Sequence, residues 1–131
     1  MRAVLLSLLV LSGCSAEQPL SCVDTFCLPS DAKIVGHQQP ADFDLYQVEW
    51  HDARFGIYVG DFPDFAVGTG EKLALVSGAN AEIKTDGLQG EVLMQLGEQS
   101  PQYLHMTGPC EAKERCALVV FASAVETAER E

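Results

Sequence analysis

The chain has 131 residues, 47% of them hydrophobic and 8% aromatic, which suits one domain with one modest core. Its 19 Asp and Glu residues outnumber its 8 Lys and Arg residues, so the formal charge is −11. This charge excludes binding to nucleic acid or to an anionic membrane surface through a basic patch, and the apolar fraction excludes a disordered chain.

The amino-terminal segment has the form of a secretory leader. A positively charged start, Met1-Arg2, is followed by residues 3–11, an apolar run that only Ser7 interrupts. The run is too short to span a bilayer as a helix, and it is typical of the hydrophobic region of a signal peptide.

This leader ends with Leu11-Ser12-Gly13-Cys14. The run resembles the lipobox of bacterial lipoproteins, and the resemblance implies that residues 1–13 are removed and that Cys14 is acylated and anchored in a lipid bilayer. Ser15 stands where an Asp would favour the inner membrane, which implies the periplasmic face of the outer membrane. Loss of Arg2 with the leader makes the mature charge −12. An ordinary signal peptide with a chance cysteine is the alternative.

The cysteine count agrees with this interpretation. Once lipid occupies Cys14, an even number of cysteines remains: Cys22, Cys27, Cys110 and Cys116. In an oxidising compartment we expect two disulfides. Three pairings are possible, and loop-closure entropy favours the two short loops, Cys22–Cys27 and Cys110–Cys116. A zinc site is the alternative, but neither pair has a two-residue spacing or a nearby His.

The next segments are expected to be irregular. Residues 14–21 hold the acylated cysteine and a polar tether with one proline. A single globular domain is then predicted over residues 22–131. Its first part, residues 22–40, has few periodic apolar positions and contains Pro29 and Pro40, which predicts a stapled loop.

The pattern changes to strands beyond residue 42. Apolar and polar residues alternate, or β-prone residues cluster, in six segments: 46–50, 55–59, 72–77, 81–85, 92–96 and 102–107. Turn signals separate these segments, including Asp86-Gly87, and a longer loop covers residues 60–70. The sequence therefore predicts an antiparallel β-meander of about six strands.

The closing segment, residues 111–125, admits two structures. Leu118, Phe121, Ala122 and Val125 have the spacing of one helix face, whereas residues 118–121 would also suit a buried strand. A helix would cover one face of the sheet and give an α+β fold in two layers. A seventh strand would give an all-β sandwich or barrel instead.

Motifs of catalysis and metal binding are missing from the sequence. It has no G-x-S-x-G elbow and no H-E-x-x-H pair. His37, His51 and His105 are far apart and share no ligand spacing. We therefore expect no metal, no cofactor and no enzymatic activity.

Carboxylates offer the one enzymatic alternative. Asp42 and Asp44 precede a predicted strand, and Asp61 and Asp64 flank Phe-Pro. A glycosidase needs two carboxyl groups facing each other in a cleft, which is difficult to build in so small a domain.

One loop has the composition of an interface. Residues 58–65 place aromatic and acidic side chains around Pro63, and a stiff loop loses little entropy on docking. Hairpin pairing is expected to bring a tryptophan near it. The candidate partner-binding residues are Tyr58, Asp61, Phe62, Asp64 and Trp50. Alternatively, Phe62 and Phe65 plug the end of the sheet while the acids solvate the turn.

Two runs resemble small proteobacterial lipoproteins, a group proposed to include immunity proteins against secreted antibacterial toxins. They are Asp42-Phe43-Asp44-Leu45-Tyr46-x-Val48 and Ile57-Tyr58-Val59-Gly60-x-x-Pro63-x-Phe65. The resemblance implies a binding protein without catalytic residues that neutralises a periplasm-acting effector, a cell-wall or membrane hydrolase. The acidic charge suits a basic protein partner. A lysozyme inhibitor and an envelope assembly lipoprotein are the alternatives.

Overall fold

The computed structural model describes residues 20–23, 25–75, 79–112 and 114–127. The predicted leader, the acylation site Cys14 and residues 15–19 of the tether lie outside these ranges. In the part of the chain that is described, no helix has the length and apolar character needed to cross a membrane.

The described residues form ten strands and one helix, and the α+β class is confirmed. The elements are β1 Leu20–Cys22, β2 Phe26–Pro29, β3 Lys33–Gln38, β4 Asp44–Trp50, β5 Ala53–Gly60, β6 Glu71–Ala74, β7 Asn80–Asp86, β8 Gln89–Gln95, β9 Tyr103–Pro109, α1 Ala117–Ala124 and β10 Glu126–Thr127. The six predicted strands correspond to β4 through β9, with ends that differ by a few residues.

The larger sheet is antiparallel, with seven described strands in the order β3-β4-β5-β9-β8-β7-β6. It consists of two meanders, β3–β5 and β6–β9, that join where β5 pairs with β9. The prediction of one continuous meander is therefore wrong, because residues 61–70 carry the chain from the middle of the sheet to its far edge. The sheet is open at β3 and β6, so a closed barrel is also wrong.

A second sheet of three described strands has the order β1-β2-β10. The loop predicted for residues 22–40 is wrong, because these residues contain the end of β1 and the whole of β2 and β3, although the Cys22–Cys27 disulfide expected there is present. β2 is buried along its whole length, and β3 is an exposed edge strand with a bulge, so neither one alternates. Disulfides join Cys22 to Cys27 and Cys110 to Cys116, the two short loops that loop closure favours.

The core lies between one face of the seven-stranded sheet and α1. Val48 and Phe55 are cross-strand neighbours on this covered face, and Phe55 stacks on Phe121 of α1 with ring centroids 4.2 Å apart. The buried face of α1 consists of Leu118, Phe121 and Ala122. The predicted helix is thus confirmed from Ala117 onward, and a strand at residues 118–121 is wrong.

The polar start of the closing segment is not helical. Arg115 N–H donates to the Ala112 carbonyl, and the Ala112 N–H donates back to Arg115, which forms a tight turn. The disulfide between Cys110 and Cys116 closes a loop around this turn. A helix through the segment would need a straight rise of 1.5 Å per residue, which the short loop does not allow.

Candidate functional site

The open face of the large sheet, on the side away from α1, carries the candidate site. Side chains alternate between the faces, so cross-strand register decides which residues meet there. Three neighbouring pairs lie on the open face at the centre of the sheet: Leu45 with Tyr58, Gln47 with Gly56, and Tyr58 with His105. Residues 61–65 leave β5 at this point and bend over the same face.

A groove of about 490 Å³ lies between this loop and the sheet. We call it the open-face groove. Its polar and aromatic lining includes Asp42, Phe43, Gln47, Tyr58, Phe62 and Asp64. Part of its floor is Gly56, where a Cβ would lie 2.8 Å from the Thr107 hydroxyl oxygen. A side chain at this position would therefore collide with Thr107, which lines the same groove.

Hydrogen bonds fix the start of the loop. The backbone N–H of Phe62 donates to the Tyr58 hydroxyl at 3.0 Å. The Asp61 carboxylate accepts from the Ser100 hydroxyl at 2.6 Å and from the Gln102 N–H at 3.0 Å. The loop is thereby tied both to β5 and to the β8–β9 connection.

The far end of the same connection is fixed as well. The backbone N–H groups of Gly68 and Gly70 donate to the two oxygens of the Glu82 carboxylate, at 2.9 and 3.0 Å. Glu82 belongs to β7, so the loop is held on the sheet at both ends. Such a loop loses little conformational entropy when a partner binds.

The two loop phenylalanines have different environments. Phe65 is buried, edge-on to His105 at 5.7 Å, and the Lys84 ammonium lies 4.2 Å from its ring centroid. Phe62 is 84% exposed. Phe65 is therefore buried against the open face beside β7 and β9, whereas Phe62 stands in solvent at the lip of the groove. Of the two rings that the alternative interpretation placed against the sheet, only Phe65 is buried there.

The aromatic wall of the groove is a pair of rings. Phe43 and Tyr58 contact each other with centroids 5.2 Å apart and planes tilted by 36°. Tyr58 lies over Gly60, where a Cβ would come within 2.5 Å of the hydroxyl oxygen and 2.9 Å of the Phe43 Cβ. Glycine at position 60 therefore allows both rings to fold onto the strand.

The charge around the groove is negative. Asp42, Asp61 and Asp64 line it, and the lining drawn from the described residues contains no Lys or Arg. The buried His105 also lines the groove, but its Nε2 lies 3.0 Å from Glu91 Oε1. The groove is thus a surface of carboxylates and aromatic rings.

Trp50 does not belong to this site. Its cross-strand neighbour is Ala53 at the turn, whereas Tyr58 pairs with Leu45 at the opposite end of the hairpin. The indole is 8% exposed on the covered face, and its N–H donates to Asp31 at 2.9 Å. The predicted proximity of Trp50 to the loop is therefore wrong. Hairpin pairing alone brings β4 next to β5, but the register places Trp50 and Tyr58 at opposite ends of the two strands.

Register also explains which site residues the sequence did not reveal. Gln47 and Thr107 line the groove because their strands flank β5, and Phe43 lines it because it directly precedes β4. The pairing of β5 with β9 spans a long separation and leaves no local signal. The carboxylates Asp42 and Asp44 separate: Asp42 lines the groove, while Asp44 accepts a hydrogen bond from His37 at 2.8 Å.

Across the described ranges, no group of three or more His, Cys, Asp or Glu side chains is placed to hold a metal ion.

No family model, no curated protein and no solved structure matches this chain.

Proposed function

We propose that this protein is a lipid-anchored binding protein on the periplasmic face of the outer membrane, where it neutralises an antibacterial effector as an immunity protein. The effector would be a basic cell-wall or membrane hydrolase. Binding would use the loop of residues 58–65 and the open-face groove, with no catalytic step by this chain.

The observation that carries this proposal is the exposed Phe62. Phe62 is 84% exposed, so burying its ring against a partner would remove apolar surface from water. Because its loop is fixed at both ends, little conformational entropy would be lost on binding. Aromatic anchors surrounded by polar groups are the residues on which protein interfaces depend most. Phe62 lies between two aspartates, Asp61 and Asp64, that would discourage unspecific apolar contacts.

The charge of the chain supports the class of partner. A formal charge of −11 creates a field that steers a basic protein toward the surface and speeds its capture. The groove carries the same sign as the whole molecule, so the field leads to the site.

The disulfides support the compartment. Bonds between Cys22 and Cys27 and between Cys110 and Cys116 indicate an oxidising, extracytoplasmic environment. The anchor at Cys14 is the part of the proposal that depends on the lipobox resemblance alone.

The proposal is tested by affinity capture with the wild-type protein and two variants. The full chain with a carboxyl-terminal tag is extracted in detergent and offered the secreted and envelope proteins of the producing cells. Phe62→Ala is the variant, and Leu88→Ala, also an exposed apolar residue, is the matched control. We expect one basic protein that wild type and Leu88→Ala retain and that Phe62→Ala retains at least about tenfold less, as loss of a hot spot implies.

The captured protein is then purified and assayed on peptidoglycan and on phospholipid vesicles. Stoichiometric wild-type protein should abolish its activity. Equal retention by Phe62→Ala would exclude the loop, and retention without inhibition would exclude immunity in favour of an assembly role. Inhibition of lysozyme in a turbidity assay, with no captured effector, would establish the lysozyme inhibitor instead.

A further inference from the structure

We propose that the open-face groove is a receptor for the guanidinium group of an arginine side chain on the protein partner. This inference rests on the proposed function, because it names the chemistry through which the same loop and groove recognise a basic protein.

The shape of the groove fits a flat cation. Its wall is the Phe43–Tyr58 ring pair, its lip is the exposed ring of Phe62, and its floor is the bare backbone of Gly56. A guanidinium group is planar, stacks on aromatic faces and is less strongly hydrated than an ammonium group. Such a group would lie against the Tyr58 ring inside the groove.

The charges of the groove select a cation over other ligands. Asp61 is engaged with the β8–β9 connection, but Asp42 and Asp64 are exposed carboxylates at the same groove. Carboxylates accept the paired N–H groups of arginine in a geometry that lysine cannot match. The described lining contains neither Lys nor Arg, so no cationic side chain of that lining competes for these acceptors.

The open face already holds one cation on an aromatic ring. Lys84 lies 4.2 Å from the centroid of Phe65, next to the groove on the same side of the sheet. A partner arginine at Tyr58 would repeat a contact that this surface makes within its own chain.

The experiment needs no partner. The full chain in detergent micelles, labelled with ¹³C in its 6 Phe and 3 Tyr rings, is titrated with N-acetyl-arginine amide and followed by NMR. N-acetyl-citrulline amide, which has the same shape and no charge, is the matched ligand. We expect saturable shifts of the Phe43, Tyr58 and Phe62 rings in the millimolar range with the arginine compound and none with citrulline.

Two variants test the acceptors. Asp42→Asn combined with Asp64→Asn should weaken arginine binding about fivefold, the sum of two exposed charge pairs. Asp86→Asn, an exposed aspartate on β7 outside the groove, is the matched control and should bind as wild type does. Both variants alter exposed side chains, so the fold should be retained, and the ring spectra without ligand report this directly.

Several outcomes would overturn the inference. They are equal binding of citrulline, unchanged affinity in the double variant, shifts at rings remote from the groove, or tighter binding of the neutral disaccharide of N-acetylglucosamine. None of them would affect capture of a partner through Phe62. Conversely, arginine binding with no effect of Phe62→Ala on capture would contradict the proposed function and leave the groove as a cation receptor.

Discussion

Asp31 organises the turn at the other end of the β4–β5 hairpin. Its carboxylate accepts the Trp50 indole N–H at 2.9 Å and lies 3.3 Å from His51 Nε2. His51 and Asp52 have φ angles of 49° and 61°, the left-handed pair that suits the twist of a two-residue hairpin turn. The hydrogen bond from Trp50 lowers the pKa of Asp31 below its ordinary value, and His51 lowers it further.

This lowered pKa predicts an acid-sensitive contribution to stability. The unfolded chain takes up a proton at Asp31 near pH 3.8, while the folded chain resists protonation to lower pH. The stabilisation from Asp31 is therefore complete above that value and is lost as the pH falls through the folded-state pKa.

Asp31→Asn should remove this dependence. Urea unfolding, followed by fluorescence of the single Trp, should show that the stability difference between wild type and variant is larger at neutral pH than near pH 3. Asp86→Asn serves as the control. A difference that stays constant with pH would show that the carboxylate of Asp31 is not coupled to folding.

At the scale of elements, two facing glycines bring α1 close to the sheet. Gly90 of β8 and Gly108 of β9 are cross-strand partners on the covered face. A Cβ at Gly108 would lie 2.5 Å from Phe55 Cδ1, and one at Gly90 would lie 3.2 Å from Leu118 Cδ2. The rings of Phe55 and Phe121 can stack because this strip of the sheet carries no side chains.

Gly108→Ala should therefore lower the free energy of unfolding by about 2 kcal/mol, the typical effect of overpacking a filled core. Gly36→Ala is the matched control, since its new Cβ would meet Gln47 at an ordinary distance of 3.5 Å. Denaturant titrations of both variants measure the difference. Equal stability of the two would show that Phe55 moves aside without cost.

Some elements could be predicted from the sequence because they are half-buried. β4 and β5 alternate between a covered and an open face, so period-two patterning reveals them. β2 escaped prediction because all its residues are buried, and β3 because most of its residues are exposed. The pairing of β5 with β9 joins distant segments, and no local pattern encodes it.

Some residues of the candidate site could also be predicted from the sequence, and others could not. Composition identifies the loop at Tyr58 and Phe62, because aromatic, acidic and proline residues are adjacent in the chain. Composition does not show that Phe65 is buried while Phe62 is exposed, since this depends on contacts with His105 and Lys84. Nor does it supply Phe43, which joins the site through the register of β4 on β5.

For the whole molecule, the lipobox resemblance predicts where the domain stands. β1 begins at Leu20, six residues after Cys14, so an acylated Cys14 would keep the domain within roughly 20 Å of the membrane surface at about 3.4 Å per residue. At that distance the protein could only meet partners that approach the membrane.

The anchor itself is tested by labelling cells with radioactive palmitate. We expect label in the wild-type protein, none in Cys14→Ser, and unchanged label in Cys22→Ser, which keeps the lipobox intact. Label that persists in Cys14→Ser, or that never enters wild type, would contradict the anchor and leave a secreted domain.

The three-stranded sheet also constrains how the molecule matures. β2 receives one neighbour from β1 and the other from β10, whose Glu126 pairs with Cys27 from a distant part of the chain. Both hydrogen-bonded edges of β2 are therefore occupied only after residues 126–127 have been made and have folded back beside it. If the chain is secreted, as we propose, this late pairing would leave the three-stranded sheet open during passage through a translocation pore.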